Sequence, residues 1–426
     1  MHNPNLISDL KSYAVQKVDP NKPQSFWPWL LLAAALPLGI AAQNLLGLVA
    51  SLALLWGIKG KGIPNPQTPI IKLSSLFALG MILANVISAI INPQNPANHH
   101  VAYFLGYLFW ITLPFIASIH GPLPAAAQSK ASQFLLIIAA IWALIVASQY
   151  IVGWRVEGMT LTSDFTRPRG LYSHPLTLAY VAFLFWPLAT NLMFRDPKSL
   201  RNWIFIASIG TILFTTQSRT IQALGILCFL WNGYIALSSV KRWSFLVVSL
   251  VLLAGIAMTN NPASEKFREM FSEKGVDRHS HYADDRLAFW DAHYQMVKEK
   301  PILGHGYHLN TAYREPYYNN LGLENFRSKY EAHNMYLQVL ANGGVIGLSF
   351  FLLWIFLQFQ LIRRFHNPFG RKVLLQTLFL FLLSGITQNA FQDGEVRMGL
   401  TLFCAIVILF NADQSAKLEG QTSALG

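Results

Sequence analysis

Five side chains in this sequence have the chemical types needed to bind an anion and to move a proton. They lie beside apolar segments or in the long polar stretch between two of them: Arg167, Arg169, Arg219, Arg286 and His333. Guanidinium groups match phosphate oxygens bidentately and keep their charge at physiological pH. Histidine has an ordinary pKa near neutrality, so His333 could accept a proton from an attacking hydroxyl. These residues predict a site that binds a phosphate-type anion, with His333 as general base.

Each of these residues also has a simpler interpretation. Arg167, Arg169 and Arg219 could reach lipid headgroups, and His333 could be an interfacial histidine ahead of a helix capped by Asn334. An arginine near hydrocarbon is costly, however, at about 2.5–3.5 kcal/mol even on the lenient insertion scale. For the set as a whole, the anion site is therefore the better interpretation.

The composition places these residues in a membrane protein. Of 426 residues, 12% are charged and 53% are apolar, and the mean hydropathy is +0.36. Soluble domains average about 25% charged residues. The composition excludes a secreted disulfide scaffold, a cytosolic enzyme and a disordered regulator. The net charge of +12 comes from basic residues between apolar runs, which serve topology and lipid headgroups and do not indicate nucleic acid.

Twelve apolar runs are candidate membrane spans, most of them near the ~20 residues that cross a bilayer. They cover residues 27–43, 45–58, 70–92, 101–119, 132–153, 173–194, 202–217, 220–239, 243–259, 334–360, 371–391 and 396–412. The first two runs are separated only by Gln43-Asn44 and form either a tight hairpin or a re-entrant pair. The predicted fold is an all-α polytopic membrane protein with about 12 transmembrane helices.

Lysine and arginine positions predict the orientation. With the N-terminus in the cytoplasm, 17 of the 32 fall on inner segments, 5 on short outer segments and 10 in one long outer loop that the positive-inside rule does not count. The predicted divisions are a cytoplasmic tail (1–25), spans 1–9 (26–259), a periplasmic loop (260–333), spans 10–12 (334–413) and a second cytoplasmic tail (414–426).

The long outer loop contains many aromatic residues and a predicted helix from Asp284 to Glu299. Its apolar stripe is predicted to be Leu287, Trp290, Tyr294 and Val297, and Pro301 with Gly304 should end it. If that stripe packs on the bundle, Arg286 points toward the mouth of the site. The loop histidines, including His305 and His308, lack the spacing of a metal site and are expected to be solvated.

Several motifs in this part of the chain resemble those of the O-antigen ligases and their polymerase relatives. The similarity covers roughly residues 210–350, and the span count and the large late loop extend it. The matching pieces are Ser218-Arg219-Thr220, Asp285-Arg286-x3-Trp290, Pro301-Ile302-Leu303-Gly304-x-Gly306, His333-Asn334-x-Tyr336-Leu337 and Gly343-Gly344-x2-Gly347-Leu348.

The resemblance implies transfer of O-antigen glycan from undecaprenyl diphosphate to a lipid A–core sugar hydroxyl, at the periplasmic face of the bacterial inner membrane. It implies that Arg219 and Arg286 bind the diphosphate, with Arg167 and Arg169 as helpers, and that His333 is the essential histidine. It also implies that no metal, nucleotide or other cofactor takes part. A direct displacement would invert the anomeric centre.

Three alternatives stay open. An O-antigen polymerase would use a second lipid-linked glycan as acceptor, and a protein O-oligosaccharyltransferase would use a serine or threonine. A lipid-glycan flippase would catalyse no reaction, but it should carry polar residues deep within several spans. The spans here are almost free of charge, which favours an enzyme.

Overall fold

The computed structural model describes residues 27–58, individual positions between 76 and 91, and residues 125–154, 167–258, 285–306, 311–324, 331–363, 368–391 and 393–409. Within these ranges the secondary structure is helical and contains no strand, which confirms the predicted all-α class. The predicted span 101–119 and Asp284, the predicted first residue of the loop helix, lie outside the described residues.

The described helices follow the predicted apolar runs closely. They are α1 (Trp27–Ala35), α2 (Ile40–Ile58), α3 (Ala125–Val152), α4 (Pro175–Arg195), α5 (Leu200–Thr215), α6 (Arg219–Ala236), α7 (Ser239–Met258), α8 (Asp285–Glu299), α9 (Thr311–Asn319), α10 (Met335–Arg363), α11 (Pro368–Ser384) and α12 (Gly394–Leu409).

Helix α4 lies at the centre of the bundle. Its side chains are almost all buried, and it packs against α5, α6, α11 and α12. By length and composition, three of the described helical segments are able to cross a membrane: Lys130–Val152, Pro175–Arg195 and Met335–Arg363. The full count of 12 spans stays a prediction.

The first two helices break at a different place from the one predicted. The sequence suggests a break at Gln43-Asn44, but the structure breaks at Leu36–Gly39 and includes Gln43 in α2. Pro37 cannot donate a backbone hydrogen bond, so it ends a helix more effectively than a polar pair does. Gln43 is accommodated because its Nε2 donates to the hydroxyl of buried Tyr172 at 3.2 Å.

Helix α10 is interrupted at Gly344, and the segment 301–306 fills the interruption. Gly344 has φ +62°, and the backbone N–H of Val345 donates to the carbonyl of Pro301 at 2.8 Å. A Cβ at Gly344 would lie 2.1 Å from the carbonyl oxygen of Ile302. Only glycine fits this close approach of two backbones. The two glycine-containing motifs of the sequence are therefore the two halves of one contact.

Helices α8 and α9 form a small layer on the first part of α10. Helix α8 begins at Asp285 and ends at Glu299, within one residue of the prediction. The predicted packing stripe was wrong, because Leu287 and Tyr294 are 43% and 52% exposed. The buried face is instead formed by Ala288, Phe289, Ala292, His293 and Met296. Small alanines allow close helix packing, so the bulkiest side chains do not define the buried face.

Side-chain contacts join several helix termini at one end of the bundle, which we call the His333 end. The hydroxyl of Thr220, at the start of α6, lies 3.0 Å from that of Thr387, which follows α11. The backbone N–H of Met335, which opens α10, donates to the carbonyl of Gly385 at 2.7 Å. The starts of α6 and α10 therefore meet the end of α11 at the His333 end.

Candidate active site

His333 is held in an uncommon backbone conformation just before α10. Its φ is +46°, one of two positive values among the described residues other than glycine. Such a conformation costs of order 1–3 kcal/mol and persists only where the surroundings enforce it. The imidazole Nδ1 lies 2.9 Å from Oε1 of Gln388, and the ring packs on Phe289 with centroids 5.2 Å apart. Because an amide oxygen only accepts, Nδ1–H is the donor and the basic lone pair is on Nε2.

The segment around His333 is fixed by hydrogen bonds on both sides. The side chain of Glu331 accepts a hydrogen bond from Nδ2 of Asn389, and the N–H of Ala332 donates to Oε1 of Gln338 at 2.9 Å. Oδ1 of Asn334 caps α10 by accepting from the N–H groups of residues 336 and 337, each at 3.0 Å. The predicted cap is therefore present, and it helps to position His333.

The protonation of His333 is set by burial and by neighbouring charges. Burial lowers the pKa of His333 below its ordinary value of 6.5, and the charges of Arg286 and Arg314 lower it further. The hydrogen bond to Gln388 and the charge of Glu331 oppose this shift. The imidazole is therefore neutral at physiological pH, which is the state that a general base requires.

The structure places Arg286 within electrostatic range of His333. Arg286 is half-buried in the first turn of α8, and its charge acts on both His333 and Tyr180 of α4. The orientation of Arg286 toward the mouth of the site stays a prediction, because the stripe from which it was derived is not the buried one.

Arg219 is exposed at the first position of α6, directly after a strained turn. The turn residue Gln217 has φ +53°, the second positive value outside glycine among the described residues. The next residue, Thr220, contacts Thr387, which precedes the His333 partner Gln388. Arg219 therefore lies at the same end of the bundle as His333.

Arg167 and Arg169 lie next to this turn and to the end of α3. Nε of Arg167 donates to the carbonyl of Thr216 at 2.7 Å, one residue before the strained Gln217. The backbone N–H of Arg169 donates to Oε1 of Gln149 at 3.2 Å. Both side chains are half-buried, and the contact of Arg167 supports the turn that presents Arg219.

Arg314 and Gln388 also belong to this region and were not predicted from the sequence. Arg314 is only 7% exposed on α9, and its charge acts on His333 and on His293. Gln388 was included in the predicted span 371–391, but α11 ends at Ser384 and leaves Gln388 in the following loop. The polar pair Gln388-Asn389 at the end of an apolar run was the available signal.

Two further histidines are buried in the α8–α9 layer. Both rings are 0% exposed, so the expectation that His305 is solvated was wrong. The ring of His305 bridges the carbonyl of Met296, 2.8 Å from Nε2, and the hydroxyl of Tyr313, 2.7 Å from Nδ1. Burial lowers the pKa of His293 to about 3, and it lowers the pKa of His305 as well. Both are neutral parts of the core that supports the site.

The fold and the site define a helical membrane protein in which a neutral histidine and several arginines lie at one end of the bundle. A family model described as O-antigen ligase matches residues 203–352, which include Arg219, Arg286, Arg314 and His333. This match supports the resemblance to the O-antigen ligase family that the motifs indicated. A search of curated proteins found no match to the chain.

Proposed function

We propose that the chain is a glycosyltransferase that moves O-antigen glycan from undecaprenyl diphosphate to a sugar hydroxyl of lipid A–core, at the periplasmic face of the inner membrane. The observation that carries this proposal is the placement of His333. Its Nδ1–H is held by Gln388, its basic lone pair is on Nε2, and the charges of Arg286 and Arg314 act on it. The match to the O-antigen ligase family supports the same reaction class.

The reaction would be a direct displacement at the anomeric carbon. The acceptor hydroxyl attacks that carbon, and its proton moves to Nε2 of His333. The bond from the anomeric carbon to the diphosphate oxygen breaks, and undecaprenyl diphosphate leaves with the bonding electrons. The product has inverted anomeric configuration.

Arginines would stabilise the negative charge that builds up on the leaving diphosphate. Arg286 acts near His333, and Arg219 acts from the strained turn at the same end of the bundle. Preorganised cations in a site with little water lower the transition-state energy without a reorganisation cost. Arg167 and Arg169 would support the turn and add positive charge to the donor site. The reaction then needs neither a metal ion nor ATP, because its energy is stored in the lipid-diphosphate bond.

Reconstitution of the purified chain tests this proposal. Proteoliposomes would receive a lipid-linked glycan donor with lipid A–core, in buffer that contains a chelator and no nucleotide. Glycan should appear on lipid A–core, and no product should form when the acceptor is omitted. A strict requirement for added magnesium or manganese would contradict the proposed role of the arginines.

Other acceptors separate the remaining alternatives. Elongation of a second lipid-linked glycan in place of lipid A–core would identify a polymerase, and glycan on a serine- or threonine-containing peptide would identify a protein glycosyltransferase. Movement of the donor across the membrane with no new glycosidic bond would identify a flippase and overturn the proposal.

A further inference from the structure

Arg314 is a buried cation whose hydrogen-bonding capacity is largely unused. Its residue is 7% exposed, and neither Nε nor Nη1 has a hydrogen-bond partner among the residues that the structure describes. Burying a charge without hydrogen bonds is strongly unfavourable, and an apolar side chain of similar length would pack at lower cost. A ligand that supplies the missing acceptors would account for an arginine here.

The position of Arg314 on α9 directs it toward His333. Arg314 and Tyr318 are four residues apart, so they lie on the same face of the helix. The buried ring of Tyr318 packs edge-on against Phe289, with centroids 6.4 Å apart, and Phe289 in turn packs on His333 at 5.2 Å. Helix α9 therefore presents Arg314 on the face that leads, through Phe289, to the candidate base.

The charges around Arg314 leave room for an anion. Glu331 attracts Arg314, but this carboxylate also accepts a hydrogen bond from Asn389 and interacts with His333. The charge of Arg286 also acts on His333. These described groups thus include two arginines and one carboxylate, and the nearby His293 and His333 are neutral. The net charge of Arg286, Arg314 and Glu331 together is therefore positive.

We propose that Arg314 is a further anion-binding residue of the site around His333, and that its ligand is a phosphate-type oxyanion of a substrate. The inference rests on the proposed function, which requires a diphosphate donor. A phosphate oxygen would supply the acceptors that Nε and Nη1 lack, and the planar guanidinium is suited to this geometry. The phosphate belongs either to the donor diphosphate or to a phosphorylated acceptor lipid.

The test measures anion binding by the purified full-length chain in nanodiscs, with inorganic pyrophosphate as the probe. Arg314→Gln should weaken pyrophosphate binding by about 10- to 100-fold, the range of a lost hydrogen bond to a charged group. The affinity of Arg314→Lys for pyrophosphate should fall between those of the wild type and Arg314→Gln, because lysine keeps the charge and loses the planar fork. The matched control is Lys298→Gln, since Lys298 is an exposed cation of α8 that packs over the ring of Tyr294 at 4.5 Å.

A purely structural role would give a different pattern. If Arg314 served only to pair with Glu331, Arg314→Gln would lower the melting temperature of the ligand-free protein and leave its affinity for pyrophosphate unchanged. That result would overturn the inference. The expected result is an unchanged or higher melting temperature without ligand, and a smaller rise when pyrophosphate is added. Arg314→Lys repeats the measurement if the glutamine variant does not fold.

Two lipid ligands separate the sources of the phosphate. Weaker binding of undecaprenyl diphosphate by Arg314→Gln assigns the contact to the donor, and weaker binding of phosphorylated lipid A, but not of its dephosphorylated form, assigns it to the acceptor. If the wild type and Arg314→Gln transfer glycan equally well, only the role of Arg314 is refuted. Arginine-dependent pyrophosphate binding without any glycan transfer would refute only the proposed function.

Discussion

Two polar regions of the bundle differ in how completely their hydrogen bonds are satisfied. The inner network is formed by Thr190, Asn191, Asn232 and Gln376, which join α4, α6 and α11. Nδ2 of Asn191 donates to Oε1 of Gln376 at 2.6 Å, Nδ2 of Asn232 donates to Oγ1 of Thr190 at 2.9 Å, and Nε2 of Gln376 donates to Oδ1 of Asn232 at 2.8 Å. Each amide nitrogen of this network has an acceptor within the fold.

At the His333 end the hydrogen bonds of buried polar groups are less completely satisfied. Nε and Nη1 of Arg314 and Nε2 of His293 are buried without a hydrogen-bond partner among the described residues. Gln217 and His333 have left-handed backbone conformations. Unsatisfied groups and strain concentrate where a protein is organised for a ligand, whereas a closed network stabilises the fold. Substitutions at the His333 end should therefore affect activity most, and those in the inner network should affect stability most.

The largest effect is expected at His333. His333→Asn removes the base, but asparagine tolerates positive φ better than most residues and its side-chain N–H can still donate to Gln388. Turnover should fall by about 10²–10⁴-fold, as is usual when a general base is lost, while donor-lipid binding stays near that of the wild type. Glycan transfer and donor binding by the purified variant provide the measurements. His333→Ala should lose the same activity with an added stability cost from backbone strain.

Protein level in the membrane must be measured with both variants. A well-expressed His333→Asn protein with near-normal transfer would remove His333 from the mechanism. It would also weaken the contrast between the two regions, because the strain at His333 would then lack a catalytic reason.

A smaller effect is expected for Arg219→Lys. Lysine keeps the charge and loses the planar fork, so transfer should fall by about 10- to 100-fold if Arg219 grips a diphosphate bidentately. The control is Arg201→Lys, since Arg201 is also an exposed arginine in the first turn of a helix, but α5 ends rather than begins at the His333 end. Equal activity of both lysine variants would mean that Arg219 only contacts lipid headgroups.

The sequence was most informative where a residue contradicted a general trend. Arg219 was predicted because it is a cation on the side that the positive-inside rule leaves poor in cations, Arg286 because it lies on a predicted loop helix, and His333 because it stands at the start of a span. Most helix bounds followed from apolar runs in the same way. Such residues and helix bounds can be predicted from the local sequence, since they depend on neighbours along the chain.

The remaining features depend on tertiary packing. Arg314 looks like an ordinary solvated residue until α9 packs on α8 and buries it. His293 falls on the buried face of α8 only because Ala288 and Ala292 allow close approach there. The break of α10 at Gly344 requires the distant segment 301–306. Each of these features depends on a contact with another element, which the local sequence does not specify.

A pH-dependent effect on stability is expected from His293. Its pKa is about 3 in the folded chain and 6.5 ordinarily, so between these values the unfolded chain binds a proton that the folded chain does not. Stability is therefore lost as pH falls below about 6.5, by up to about 1.4 kcal/mol for each pH unit. His293→Leu should remove this contribution. Between pH 7 and pH 5 its free energy of unfolding should therefore fall by about 2 kcal/mol less than that of the wild type.

Thermal unfolding of wild type, His293→Leu and the exposed-neighbour control Tyr294→Phe at the two pH values measures this difference. A constant offset between the proteins cancels, because only the change with pH is compared. Equal pH dependence in wild type and His293→Leu would mean that His293 is not buried as a neutral ring, and the contrast between a complete and an incomplete region would lose part of its basis.

The smallest effect on glycan transfer, and the one that tests the other half of the comparison, is expected at Asn232. Asn232→Leu removes the donor to Thr190 and the acceptor for Gln376. It should lower stability by about 0.6–1.7 kcal/mol for each of these two hydrogen bonds, as is found between membrane helices. The protein that still folds should transfer glycan at the wild-type rate, because the network lies near the end of α4 that is distant from His333. Transfer per folded molecule, with melting temperature measured on the same sample, separates the two effects. Loss of transfer in well-folded Asn232→Leu would show that the inner network is coupled to the reaction. A satisfied hydrogen-bond network would then not indicate a purely structural region in this protein.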